Sequence, residues 1–234
     1  IMPTGAGKSI CYQVPALLFS GITLVVSPLI SLMKDQVGAL RQAGVAAAFL
    51  NSSLTSAQFL RALQNAEAGE YKIIYVAPER LLTDSFLRFA VRADISMVTV
   101  DEAHCVSQWG QDFRPSYLKI PEFLEQLPRR PVVSAFTATA TAQVREDIVA
   151  MLGLRDPAVV TTGFDRPNLY FEVQRPPDKF EVLYRYLGEN PDRSGIVYCA
   201  TRKTVEEVCG RLQRLGVDAT RYHAGLEDEE RERN

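Results

Sequence analysis

The chain has 234 residues, 47% of them hydrophobic, and a formal net charge of −2, enough apolar content for one large core or two modest ones. No apolar run approaches the ~20 residues of a membrane span, the start lacks the order of a signal peptide, and Cys11, Cys105, Cys199 and Cys209 form no C-x-x-C pair, which argues against a disulfide framework or a cysteine zinc site. A cytoplasmic address is expected, beside the nucleoid if the source is bacterial; the charge balance argues against a wholesale basic surface but leaves room for a local groove that holds a nucleic-acid strand.

The chain starts on Pro3-Thr4-Gly5-Ala6-Gly7-Lys8-Ser9, a glycine-rich loop that runs into a helical pattern. Gly5 and Gly7 lack Cβ, so the backbone is free to curl with its N–H groups inward, and the helix behind adds the positive end of its dipole. Residues Thr4, Gly5, Ala6, Gly7, Lys8 and Ser9 are therefore a candidate cradle for the phosphates of ATP, with Lys8 neutralising the terminal phosphates and Ser9 offering its hydroxyl to Mg²⁺. The full pattern G-x-x-x-x-G-K-S/T asks for glycine where the chain has Met2. The plainer alternative is a strand-to-helix turn with a solvated lysine.

A helix is predicted over 8–19, with Pro15 as a kink and Gly21 behind it, then a strand over 22–26. Ser27-Pro28 opens an amphipathic helix that Gly44 stops. Residues 46–50 are a short apolar run. Thr55-Ser56-Ala57-Gln58 reads as a capping box for a helix ending near Gly69, and 72–76 is a third strand, closed by Ala77-Pro78-Glu79-Arg80. Residues 95–100 form a fourth strand that delivers Asp101-Glu102-Ala103-His104, and 131–136 a fifth that delivers Thr137-Ala138-Thr139. Helical patterns between the strands imply crossovers and a parallel sheet. Every polar motif then lies along the carboxyl edge, where open α/β sheets bind ligands.

Between Thr161 and Lys179 the texture shifts to Gly, Pro, Asp and Asn, and a domain boundary is expected there, giving residues 1–164 and 165–234. Beyond it the strand, turn, helix order restarts: a helix over 180–187, a buried-type strand over 195–199, a helix from Thr201-Arg202 to about Leu215, and a strand over 218–222 that ends at His223-Ala224-Gly225-Leu226. Ile1-Met2 reads as the end of a strand and 227–234 as the opening of a helix. The chain is therefore expected to be a piece of a longer one.

Asp101 and Glu102 follow a valine-rich strand, the place where a carboxylate meets the Mg²⁺ of a phosphate-loop enzyme. Asp101 would hold the metal, while Glu102 orients or deprotonates the water that attacks the γ-phosphate. His104 is placed to sense the phosphate. Taken alone, an acidic pair at a strand end is more simply a solvated turn; the loop at 3–9 reverses that preference.

The phosphate loop, Asp101-Glu102-Ala103-His104 and Thr137-Ala138-Thr139-Ala140, in that order, resemble motifs I, II and III of superfamily 2 helicases. Ser27-Pro28-Leu29-Ile30-Ser31-Leu32-Met33-Lys34-Asp35-Gln36, Ala77-Pro78-Glu79-Arg80-Leu81 and above all Gln108-Trp109-Gly110-Gln111-Asp112-Phe113-Arg114-Pro115 narrow the resemblance to the RecQ family of ATP-dependent DNA helicases. It covers essentially the whole chain. The resemblance implies an α/β fold: a RecA-like phosphate-loop domain with a parallel sheet, followed by an incomplete second RecA-like domain. It also implies ATP and Mg²⁺ in the cleft, 3′ to 5′ translocation on single-stranded DNA, and duplex unwinding in repair and recombination.

The loop around Trp109 resembles the family's aromatic-rich loop, which links single-stranded DNA to hydrolysis. Trp109 and Phe113 in a polar loop are costly unless they stack on something; packing beneath the loop is the alternative, above all for Phe113. Arg114 is open between a DNA phosphate and Asp112. Gln111 stands where many relatives carry His. Ser27, Lys34, Arg80 and Arg202 are candidates for DNA backbone contacts, each otherwise a solvated polar residue. Thr137 and Thr139 would bond across the domains or to DNA, or else cap the helix at Thr141. An RNA-directed relative and a nucleotide-binding piece without independent activity are the competing readings. The resemblance puts the arginine finger beyond Asn234, so the 234-residue chain by itself is expected to turn ATP over poorly.

Overall fold

The apolar runs pair where the sequence predicts strands. In the computed structural model, which describes residues 1–163 and 168–234, β1 (Ile22–Val26), β2 (Ala47–Leu50), β3 (Ile73–Val76), β4 (Ile95–Val100) and β5 (Val132–Ala135) form one sheet in the order β2-β3-β1-β4-β5. Every pairing is parallel. Near-continuous apolar strands suit this arrangement, because helices cover both faces of a parallel sheet.

Alternate strand residues divide between those faces, as a period of two requires. Leu24, Val26, Ile74, Val76, Val98 and Val100 pack with Phe59 and Leu63 of α3 (Ser56–Glu67), Phe86 and Phe89 of α4 (Asp84–Arg92), Phe123 of α5 (Ile120–Gln126), and Val144 and Ile148 of α6 (Ala142–Met151). Val25, Ile73, Tyr75 and Met97 face the other way. They meet Tyr12 and Ala16 of α1 (Lys8–Leu18) and Met33, Val37 and Leu40 of α2 (Ile30–Gln42). α1 runs through Pro15 to Leu18, and the predicted capping box of Thr55 and Gln58 opens α3.

The strand order places the site. From β1 the chain goes to the β2 edge, returns through β3, then crosses to β4 and β5 on the opposite flank. The winding direction reverses at β1, and the carboxyl ends of β1 and β4 frame the crevice that such a reversal opens.

The chain divides into two compact units, residues 1–166 and 167–234. The boundary expected at 164/165 falls within 164–167, outside the described residues. The second unit carries α7 (Lys179–Glu189), α8 (Arg202–Arg214) and α9 (Asp228–Arg233), with Asp178 and Thr201 capping the first two. The Arg211 guanidinium lies 3.7 Å from the centre of the Phe180 ring. The strands predicted over 195–199 and 218–222 do not form; both segments lack regular structure, with Ile196, Tyr198 and Tyr222 exposed. A strand exists only by its ladder, and neither segment has a pairing partner among the described residues. Among those residues no helix is long and apolar enough to cross a membrane, and the four cysteines are free thiols.

Candidate active site

The loop ahead of α1 turns on Gly5 and Gly7, at φ +82° and +79°, a left-handed conformation that glycine adopts at little cost. An added Cβ would meet nothing within 4 Å at either, so conformation and not space demands glycine there. Gly7 caps α1 with no side chain bonded to its first turn. The N–H groups that a helix start leaves without partners, with the dipole behind them, make an anion cradle. Lys8 folds back over this loop, its Nζ donating to the Met2 and Pro3 carbonyls at 3.3 and 3.5 Å. The Met2 N–H donates to the Thr137 carbonyl at 3.1 Å, which seats the loop beside the end of β5.

β1 and β4 end side by side, with Val26 opposite Val100 and the Asp101 N–H donating to the Val26 carbonyl. Asp101 is only 6% exposed. The Glu102 N–H donates to its Oδ1 at 3.0 Å, and the Tyr117 hydroxyl donates to its carbonyl at 2.9 Å. Burial and then the neighbouring Glu102 charge push the Asp101 carboxyl up to about 6, while Lys8 and His104 pull the other way. Burial raises Glu102 too, again against Lys8. One ammonium thus favours the charged form of both acids.

Glu102 sits at φ +47°, a left-handed conformation that strains a non-glycine residue by ~1–3 kcal/mol. It is held there by the Asp101 N–H on one side and by the Ala103 N–H, which donates to the Phe136 carbonyl at 2.9 Å, on the other. The resulting turn brings Glu102 Oε2 to 3.3 Å from His104 Nδ1. The same nitrogen is 2.8 Å from Thr137 Oγ1, whose hydrogen goes to the Thr139 carbonyl at 3.0 Å. With that hydrogen given away, Thr137 accepts, and the imidazole proton belongs on Nδ1. Burial lowers the His104 pKa. A neutral ring with a fixed tautomer therefore joins the acid pair to the loop after β5.

The Trp109 loop is pinned from below. The Ser107 hydroxyl donates to Asp147 Oδ2 on α6 at 2.5 Å and accepts the Trp109 N–H at 3.1 Å. At Gly110 a Cβ would come within 2.2 Å of the His104 carbonyl oxygen, so only glycine allows that approach. Trp109 is left 77% exposed, while Phe113 is half-buried. Arg114 settles on internal partners: Nε and Nη2 donate to Asp112 Oδ2 at 2.9 and 2.7 Å, and Nη1 to the Pro28 carbonyl at 3.1 Å. It ties the aromatic loop to the start of α2.

Two of the residues expected on DNA are placed otherwise. Ser27 is 1% exposed and Thr137 2%, so neither lies on the surface. Thr141 itself caps α6, so Thr137 is no cap either; it is His104's partner. Lys34 and Thr139 are exposed. Arg80 lies 4.9 Å over the Phe59 ring with Nη2 at 3.5 Å from the Asn51 carbonyl, and Arg202 belongs to the second unit. Tyr117, Ser107 and Asp147 were not anticipated, since single polar residues in apolar or helical runs give no local signal.

Among the described residues no cluster of three His, Cys, Asp or Glu is placed to cage a metal. Mg²⁺ keeps waters and takes one or two protein oxygens besides those of phosphates. Ser9 and the buried Asp101 carboxylate are hard oxygen donors of that kind.

The profile of the DEAD/DEAH box helicases matches residues 1–148. The chain belongs to that family. Within it the RecQ resemblance holds along the chain: it is 48% identical over 231 residues to the ATP-dependent DNA helicase RecQ of Bacillus subtilis, covering 99% of this chain and 39% of that protein. It is 41% identical over 244 residues to the ATP-dependent DNA helicase Q1 of Rattus norvegicus, covering 99% and 39%. The chain thus spans about two fifths of the length of these relatives. The structure of the Mycobacterium smegmatis helicase Lhr bound to single-stranded DNA and AMP-PNP aligns over 100% of this chain and 35% of that one, with a TM-score of 0.64 at 20% identity. At that identity the likeness shows a shared fold, that of RecA-like helicase domains.

Proposed function

We propose that this chain is the ATP-hydrolysing motor core of a RecQ-type DNA helicase, which moves 3′ to 5′ along single-stranded DNA and unwinds duplex DNA in repair and recombination. The observation that carries the reading is the convergence at one sheet edge of the glycine loop ahead of Lys8, seated by the Met2 N–H on the Thr137 carbonyl, with Asp101 and Glu102 at the end of β4 and the His104–Thr137 bond; the Lys8 ammonium favours the charged form of both acids. The loop at 3–9 would bind the phosphates, Ser9 and Asp101 would hold Mg²⁺, and that metal would supply charge neutralisation on the β- and γ-oxygens. Glu102 holds and takes the proton of the attacking water. His104, locked to Thr137, orients Glu102 and passes its position to the loop after β5. Trp109, exposed on a loop pinned to His104 and Ser107, offers a stacking face for a base.

Lys8→Ala in the intact protein is expected to abolish ATP turnover. Glu102→Gln should leave nucleotide binding largely intact and block hydrolysis, read by fluorescent-nucleotide titration beside phosphate release. Normal turnover in Glu102→Gln would remove it as the general base, since an amide cannot accept the proton.

A further inference from the structure

Behind Lys8 and Ser9 a polar junction joins α1 to α2 and β3, and its Tyr12 also meets Ser9 through a side-chain hydrogen bond. Gln13 of α1, nearly buried, donates from Nε2 to Gln36 Oε1 of α2 at 2.9 Å and to the Tyr75 hydroxyl of β3 at 3.1 Å. The Tyr75 hydroxyl is 3.3 Å from that of Tyr12, and both tyrosines are 1% exposed. With Gln13 occupying an acceptor site on Tyr75, the Tyr75 hydrogen is free to go to Tyr12. The group sits inside an apolar cluster of Ala16, Val25, Met33, Val37, Ile73 and Met97, where phenylalanine and leucine would fill the same space without any polar atom to satisfy.

The three elements joined here each lead into a different part of the site. α1 begins at Lys8 and Ser9. α2 follows Ser27-Pro28-Leu29, whose Pro28 carbonyl Arg114 holds. β3 runs one residue beyond Tyr75 into Ala77-Pro78-Glu79-Arg80. Apolar contact between helices is non-directional and lets them slide, whereas an amide that gives both hydrogens to two named oxygens sets one register.

We propose that Gln13, Tyr75 and Gln36 are positioning residues that lock the phosphate-loop helix to β3 and to α2, whose leading Pro28 carbonyl Arg114 ties to the Trp109 loop, so that α1 and α2 move as one body when nucleotide and DNA bind. The inference rests on the DNA-driven motor reading. Because Gln13 and Tyr75 are buried between α1 and β3 and Gln36 is half-buried on α2, removing their bonds uncouples the two sides and leaves basal chemistry in place.

The test uses Tyr75→Phe, Gln36→Leu, Gln13→Leu and the Gln13→Leu/Gln36→Leu double variant in the intact protein, with ATPase measured without DNA and across a titration of single-stranded oligonucleotide. Basal turnover should stay within about twofold, and the ratio of DNA-stimulated to basal turnover should fall about threefold to tenfold, the range that one buried hydrogen bond provides. The double variant should fall no further than the worse single one. Tyr75→Phe and Gln36→Leu keep the test alive if Gln13→Leu does not fold. An unchanged ratio, or basal and stimulated turnover falling in the same proportion, would overturn the inference and leave the motor reading intact. If the unaltered protein shows no DNA stimulation at all, the motor reading falls and the inference with it.

Discussion

Asp101→Asn should stabilise the nucleotide-free protein while destroying its activity. The Asp101 carboxyl is raised from 3.8 to about 6, first by burial, a shift worth on the order of 3 kcal/mol between folded and unfolded states. A carboxyl whose native value lies above its unfolded one holds its proton more tightly when folded. The native state therefore loses stability as pH rises through the window from 3.8 to about 6. Above that window the charge is present in both states and the native form carries the full penalty. Asparagine keeps an oxygen for the Glu102 N–H and removes the charge, but it buries an NH₂ group of its own, so the net gain is about 1–3 kcal/mol. Thermal unfolding without nucleotide or Mg²⁺ checks this at pH 8 and pH 4.5. The midpoint at pH 8 should rise by several degrees, and at least half of that gain should vanish at pH 4.5. A variant that is less stable at pH 8, or a gain independent of pH, would refute the argument that burial of the charge raises this carboxyl.

Gly110→Ala places a methyl 2.2 Å from the His104 carbonyl, so the exposed loop must swing away; a ~1–3 kcal/mol overpacking cost and loss of DNA-stimulated ATPase are expected, read by urea midpoint and oligonucleotide titration. Trp109→Ala should keep basal ATPase and lose stimulation, since base stacking is worth ~1–3 kcal/mol; stimulation that survives at saturating DNA would make the loop structural. Thr137→Val keeps the shape but leaves the Thr139 N–H without that hydroxyl and His104 Nδ1 with only the longer contact to Glu102 Oε2 at 3.3 Å. It should cost ~1–3 kcal/mol and lower turnover, whereas Thr137→Ser should restore turnover, as phosphate release would show.

Much of this protein follows from local pattern. Near-continuous apolar runs of strand length bounded by polar turns mark β1 to β5, the caps at Thr55 and Thr141 act within a single turn of chain, and the polar motifs follow the runs directly, so the strands and the placing of the motifs at their ends were legible without a fold. Parallel topology then sufficed to bring the motifs to one edge. The failures share the opposite character. The segment 195–199 reads as a strand because it is apolar, and 218–222 because it follows a helix and restarts the strand, turn, helix order, yet a strand needs a partner that no local run contains. Ser27 reads as a solvated residue or a DNA contact and Thr137 as a cap or a contact to DNA or the other domain, while here both are buried and Thr137 bonds His104 and the Thr139 carbonyl. Arg114 on Pro28, His104 on Thr137 and Gln13 on Gln36 and Tyr75 join residues 23 to 86 positions apart. Only the tertiary structure decides them, because a hydrogen bond between distant residues depends on distance and direction in space, and sequence spacing carries neither.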